Sequence, residues 1–165
     1  MSESSRIELD AIDRGIVRAL QADGRRPFTR IARELGISEA AVRQRVGRLE
    51  STGTMQVVAV ADPMALGYRT IAMLGVTVDP ARRQAVADHL GGLDQVSYVV
   101  LVAGSFDLLV EVVCEDSEQL LAFLSGPLAE VEGVRAVESF VYLRLVKEAY
   151  TWSLAERPAA GREAG

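Results

Sequence analysis

Residues 31–53 read IARELGISEAAVRQRVGRLESTG, and Gly36 and Ser38 within them decide how the first third of the chain folds. Ile31, Ala32 and Leu35 recur at helical spacing, and so do Val42, Val46 and Leu49. Gly36 suits the left-handed residue that closes a helix running from about Thr29 to Leu35. Ser38 suits the cap of the next helix, because its hydroxyl can accept from a free first-turn amide. Ala32 is small enough for close helix approach, while Ile37 and Val42 fill the angle between the two axes. Two short helices joined by GIS form a helix-turn-helix signature. Upstream, Leu9, Ile12, Ile16 and Leu20 trace another apolar stripe, opened by Asp10 as cap with Asp13 in the first turn and ended near Gly24. Phe28 extends the apolar side of the second helix, and Gly53 ends the third.

Charge singles out the same region. The chain of 165 residues carries a net charge of -5. Residues 1–53 nevertheless hold ten arginines against eight acids, and residues 25–48 hold seven arginines against Glu34 and Glu39 alone. A basic segment on an acidic chain points to a polyanion partner for that segment. If the third helix enters a major groove, its outward residues Ala40, Arg43, Gln44 and Gly47 lie opposite the apolar stripe. Arg43 can offer a bidentate fork to guanine, and Gln44 can pair with adenine. Ser38, Arg48, Arg25, Arg26 and Arg30, at element ends or on the flank, suit phosphates. Glu39 can accept from cytosine N4 but better suits the positive end of its own helix. Arg45 lies nearer the core edge, as a packing or phosphate residue.

The pattern changes further on. Residues 55–67, MQVVAVADPMALG, open with an apolar β run that reads as a wing or linker strand, and Pro63 and Gly67 break it into a hinge. Residues 70–78, 96–103, 107–114 and 135–146 read as strands. Residues 80–91 read as a helix with Pro80 at its first position, and 117–131 as a helix kinked at SGP. The order βαββαβ is the ferredoxin-like arrangement, with GLDQVSYVV and GVRAVESFV as matching entries to the two half-units. YVVLV and LLVEVVC are apolar at nearly every position, so the sheet face without helices is expected to be apolar and covered by self-association. The expected layout is 1–53 helix-turn-helix, 54–68 wing and hinge, 69–148 βαββαβ domain and 149–165 a disordered tail.

Within the apolar segment VLVAGSFDLLVEV, residues 100–112, Asp107 is the exception. A charge there needs a partner or solvent. Gly104 and Ser105 begin a tight turn, and a turn aspartate can bond its own amides.

Taken together, LDAIDRGIVRALQADGR, IARELGISEAAVRQRVGRLESTG, the hinge DPMALG and VAGSFDLLVEV resemble the Lrp/AsnC, or feast/famine, family of prokaryotic transcription regulators. The resemblance covers about residues 7–148. It implies an α+β chain: a winged helix-turn-helix for double-stranded DNA joined to a ferredoxin-like sensing domain. It implies homodimers that assemble to tetramers or octamers, and a small effector, usually an amino acid, held between subunits. The family's Gly-x-(Tyr/Phe)-Asp turn lines that pocket, which maps to Gly104, Ser105, Phe106 and Asp107, with Phe140, Val141 and Tyr142 from the last strand. One departure stands out. No basic residue occurs between Arg48 and Arg69, so phosphate contact is expected from the arginine cluster rather than the wing.

Other classes fit less well. One cysteine, Cys114, and one histidine, His89, cannot form a Cys/His zinc site, and no cofactor is implied. Proton-transfer chemistry would want more than one such group, so an enzyme related to haem-pathway decarboxylases is disfavoured. No apolar run reaches the length of a membrane span, and MSESSRIELD lacks the layout of a secretory signal. With a free thiol, the expectation is a cytoplasmic protein. A DNA-organising protein without an effector is the remaining alternative.

Overall fold

The computed structural model describes residues 8–147; the expected tail at 149–165 lies outside them. The chain divides into two compact units, with the break between Ala59 and Val60.

The first unit holds α1 (Ala11–Ala22), α2 (Phe28–Leu35) and α3 (Glu39–Ser51). Asp10 and Asp13 close a reciprocal cap: the Asp13 amide donates to Asp10 Oδ1 at 2.7 Å, and the Asp10 amide donates to Asp13 Oδ2 at 3.2 Å. Gly36 takes φ 67°, the left-handed conformation that ends α2. Ser38 Oγ accepts from the Ala41 amide at 3.2 Å to start α3. Ile16, Ile31, Val42 and Leu49 are fully buried between the helices, with Val17, Leu20, Ala32 and Val46 around them. The apolar spacings therefore face one shared core.

The second unit holds β1 (Thr70–Val78), α4 (Arg83–Leu90), β2 (Val96–Leu101), β3 (Leu108–Cys114), α5 (Ser117–Ser125) and β4 (Val134–Val141). The sheet order is β2-β3-β1-β4, antiparallel throughout. That is the ferredoxin-like topology. Ala72, Leu74, Val76 and Val78 of β1 share one face with Leu108, Val110, Val112 and Cys114 of β3. Val86 and Leu90 of α4 and Leu120 and Phe123 of α5 cover this face. Burial pushes the Cys114 thiol pKa up. The alternate positions carry Ile71, Met73, Leu109 and Val113, joined by Tyr98, Val100 and Phe140 from the flanking strands. No helix of this unit packs on them. The second face is apolar as expected, apart from Thr77, Glu111 and Glu138.

Several boundaries differ from the sequence reading. The apolar run after Met55 forms no strand: Val57, Val58 and Val60 are exposed and pair with no described strand. Strand character comes from a hydrogen-bonded neighbour, and apolar composition cannot supply one. Further on, at the residues expected to form a hinge, Met64–Leu66 make a 3-10 turn closed by Gly67 at φ 100°. The helix expected to reach residue 131 ends at Ser125, because Pro127 lacks an amide and disfavours helical geometry at Gly126. Residues 80–82 form a single 3-10 turn before α4, capped by Asp79. β2 and β4 also stop earlier than expected, at Leu101 and Val141.

Candidate nucleic-acid and effector sites

Val42, Val46 and Leu49 bury one side of α3, so Ala40, Arg43, Gln44, Gly47 and Arg48 are exposed on the other. The exposed side chains are already organised. Arg43 Nη2 donates to Glu39 Oε1 at 2.8 Å, and its guanidinium carbon lies 5.4 Å from the Phe28 ring centroid. This holds the fork at the start of α3. An exposed pair one helical turn apart is worth only about 0.3–0.5 kcal/mol, so a guanine edge or a phosphate can displace Glu39. Glu39 therefore sits both near the helix N-terminus and on Arg43.

Four of the other arginines form two groups. Arg26 and Arg30 converge on the Glu34 carboxylate, at 2.5 and 3.2 Å. The Arg26 bond leads in holding Glu34 below the usual carboxylate range. Arg25 forms no ion pair among the described residues, although its amide donates to Asp23 Oδ1. Arg48 and Arg45 turn towards α1. Arg48 Nη2 donates to Asp13 Oδ2 at 2.6 Å, and Arg45 Nη1 donates to Asp13 Oδ1 at 2.7 Å and to Asp10 Oδ2 at 2.6 Å. Asp13 is the one buried charged residue among those described, at 1% exposure. These arginines thus clamp α3 to α1. The sequence reading treats Asp13 only as a first-turn acid and misses this role. The signal is present: two acids three apart, the cap and first turn of α1, match two arginines three apart on α3.

In the second unit the Gly104–Asp107 turn links β2 to β3, and Val102 N–H donating to the Asp107 carbonyl closes it at 3.0 Å. Gly104 and Ser105 are exposed. The Asp107 carboxylate does not bond its own turn amides. Oδ2 accepts from the Val78 amide on neighbouring β1 at 3.0 Å, and Oδ1 accepts from Arg83 Nη2 at 2.6 Å. The Val78 bond leads in lowering the Asp107 pKa; burial opposes it, and the Arg83 bond adds to the lowering. Arg83, at the start of α4, is not among the residues read from the sequence. Its side chain is 43% exposed, against 21% for Asp107.

Phe106 goes the other way. Its ring fills the space over Gly75 of β1, where a Cβ would lie 2.6 Å from Cε2 and Cζ. It meets Phe140 edge-on at 6.1 Å between centroids. Phe140 pairs with Met73 on the helix-free face. Tyr142, whose amide donates to the Ile71 carbonyl, sends its hydroxyl to Glu111 Oε2 at 2.8 Å. Ser97 Oγ donates to Glu111 Oε1 at 2.6 Å. Val141 is registered with the buried Ala72 and so belongs to the helix-covered side. The structure thus gathers Phe106, Phe140 and Tyr142 on one face and sets Val141 apart.

His89 lies exposed in the last turn of α4. Among the described residues no cluster of three or more His, Cys, Asp or Glu side chains could hold a metal ion, and no helix is long and apolar enough to cross a membrane.

Comparison with known proteins agrees with this arrangement. Residues 9–50 match the AsnC-type helix-turn-helix domain and residues 71–152 the Lrp/AsnC ligand binding domain. An HTH-type transcriptional regulator of Pyrococcus abyssi is 31% identical over 151 residues, covering 91% of this chain and 96% of the relative. The regulator LrpA of Pyrococcus horikoshii is 33% identical over 140 residues, covering 84% and 99%. Among solved structures, the leucine response regulatory protein LrpA of Mycobacterium tuberculosis superimposes with a TM-score of 0.78 at 32% identity, over 85% of this chain and 96% of that one. A Neisseria meningitidis transcriptional regulator in complex with L-Met shares the fold, with a TM-score of 0.78 at 22% identity over 89% and 97%. These relatives are regulators rather than enzymes, and the chain belongs to the Lrp/AsnC family of DNA-binding transcriptional regulators.

Proposed function

We propose that the protein is a cytoplasmic, sequence-reading regulator whose assembly or DNA binding responds to a free amino acid. The observation that carries the effector reading is the Asp107–Arg83 pair beside an aromatic turn. An α-amino acid is a zwitterion. A carboxylate and a guanidinium side by side, both partly exposed, are its complement. Asp107 uses one lone pair on each oxygen within the chain, which leaves acceptor capacity for an α-amino group. Gly104 and Ser105 shape the mouth of the site, and Phe106, Phe140 and Tyr142 supply apolar and hydroxyl contacts to the effector side chain, whereas Val141, on the opposite side of β4, takes no part. The helix-free sheet face, apolar around Met73, Leu109 and Phe140, is the surface on which two copies pair before forming tetramers or octamers.

On DNA, Arg43 and Gln44 read base edges while Ala40 and Glu39 sit against the groove. Ser38, Arg25, Arg26, Arg30 and Arg48 hold phosphates. Arg43→Ala and Gln44→Ala should narrow the gap between the preferred duplex and unrelated DNA by ~1–3 kcal/mol each. Equal loss on all sequences would make them phosphate residues instead. For the effector, calorimetric titration of the full-length protein with the twenty amino acids, L-Met first, should find a ligand whose binding Asp107→Ala abolishes while DNA affinity persists. Ligand binding unchanged in that variant would sink the assignment.

One observation favours a second reading. Asp107 already has two partners within the chain, which a purely structural turn would also require. In that case the protein organises DNA without an effector, and no amino acid shifts its melting.

A further inference from the structure

Two glycines interrupt the interiors of helices in the first unit, and the chain itself explains one of them. At Gly15 in α1, a Cβ would meet Leu35 Cδ2 at 2.6 Å, so the bare backbone is what lets α2 pack against α1. At Gly47 in α3, a Cβ would meet nothing within 4 Å. Gly47 has ordinary right-handed helical backbone, so it serves no turn. An interior glycine weakens a helix relative to alanine, because the unfolded chain has more freedom to lose and the backbone is left exposed to water. The sequence therefore accepts a weaker α3 at a position where its own fold has room for a side chain.

The position has a direction. Gly47 lies on the outward side, opposite Val42, Val46 and Leu49, and in line with Ala40 and Gln44. Arg43 flanks this line on one side and Arg48 on the other. The outward surface is thus low at Ala40 and Gly47, with the Gln44 side chain between them along the helix and Arg43 at its edge. A helix of this shape can sit deep between two phosphate walls.

We propose that Gly47 is the seat of α3 on DNA: its backbone lies directly against the major groove, with no side chain between, and this closeness brings Arg43 and Gln44 within reach of the bases. The inference rests on α3 being the reading helix and adds the residue that sets its depth.

The full-length wild-type protein first selects duplexes from a random pool, and the best of them serves as the probe for Gly47→Ala and Gly47→Leu. Alanine should slow hydrogen exchange of the α3 amides, because it removes the helix cost of glycine, yet weaken binding about tenfold. Leucine should weaken binding further and flatten the dependence of affinity on salt, since a lifted helix carries its arginines away from the phosphates. Because the alanine variant is the more stable protein, its loss of binding cannot come from misfolding. Binding by both variants at wild-type strength would overturn the role of Gly47 alone. Failure of the wild type to retain any duplex would overturn the assignment of α3 as the reading helix.

Discussion

Asp13 is buried, charged and held by two arginines, so removing both arginines should unfold the DNA-binding unit while removing the acid should not. Stripping a buried carboxylate of its cations costs ~3–5 kcal/mol when nothing else can reach it. Arg45 and Arg48 are 30% and 46% exposed, so water replaces part of what they give, and the expected loss for Arg45→Ala/Arg48→Ala is ~2–4 kcal/mol. A unit of some fifty residues has a total stability of only ~3–8 kcal/mol, so the double variant sits close to unfolding at growth temperature. Either single substitution leaves Asp13 one bidentate-capable partner and should cost ~1 kcal/mol. The decisive variant adds Asp13→Ala to the double substitution. The stranded charge is then gone, and the triple variant should be more stable than the double. Global melting would blur two units with separate transitions, so the assay is hydrogen exchange of the α1–α3 amides, with β1 and β3 as internal reference. A double variant within about 1 kcal/mol of wild type, or a triple variant weaker still, would refute the reasoning. Arg48→Ala alone also separates two roles: if Arg48 touches phosphate as well as Asp13, the slope of log affinity against log salt should fall by about 0.9.

Gly75→Ala places a methyl carbon against the Phe106 ring and should destabilise the second unit by ~1–3 kcal/mol; Phe106→Leu on that background should recover part of the loss, and a neutral Gly75→Ala would show that the ring does not need the space. Asp107 has a pKa lowered in the folded state, so its contribution is complete above the unfolded carboxylate value and is lost as pH falls through the lower folded value. Urea midpoints of the wild type and Asp107→Asn should therefore differ above the ordinary carboxylate range and converge as the pH is lowered well below it, and a gap constant with pH would contradict the sign.

Much of the fold is legible because helices announce themselves locally. Asp10, Ser38 and Gly36 act within four residues of their partners, and the Val42/Val46/Leu49 stripe needs only its own spacing to declare a buried side. The strands of the second unit are also legible, since β1 and β3 are long and bounded by turns. What escapes is pairing at a distance. Val57, Val58 and Val60 have strand-like composition, yet no described strand bonds to them. Whether the Asp107 carboxylate meets its own turn or the Val78 amide depends on the β1–β3 register, in which Val76 stands opposite Leu108. Arg83 follows Pro80 by one turn, and only the crossover from β1 to α4 brings it to the turn before β3. The Asp13 clamp is intermediate: matched i, i+3 spacings on two helices hint at it, but the burial that gives it consequence is a property of the packed unit.

The consecutive pair Phe106–Asp107 shows how that register serves the site. Phe106 lies over Gly75 on the helix-free face, and Asp107 reaches back to Val78 and Arg83 at the start of α4. One short turn is therefore fixed at once to the surface proposed for association and to the helix layer behind the sheet. A ligand that binds Asp107 equally well in the free and the assembled protein leaves assembly unchanged, however tightly it binds. Influence on assembly requires that the ligand alter the Asp107–Arg83 contact differently in the two states. The edge-on contact of Phe106 with Phe140 is where such a difference would reach the sheet face, because Phe106 is the aromatic residue of the turn and its ring lies on that face. Substituting Phe106 should consequently disturb assembly and ligand response together, whereas substituting Arg83 should disturb ligand response first.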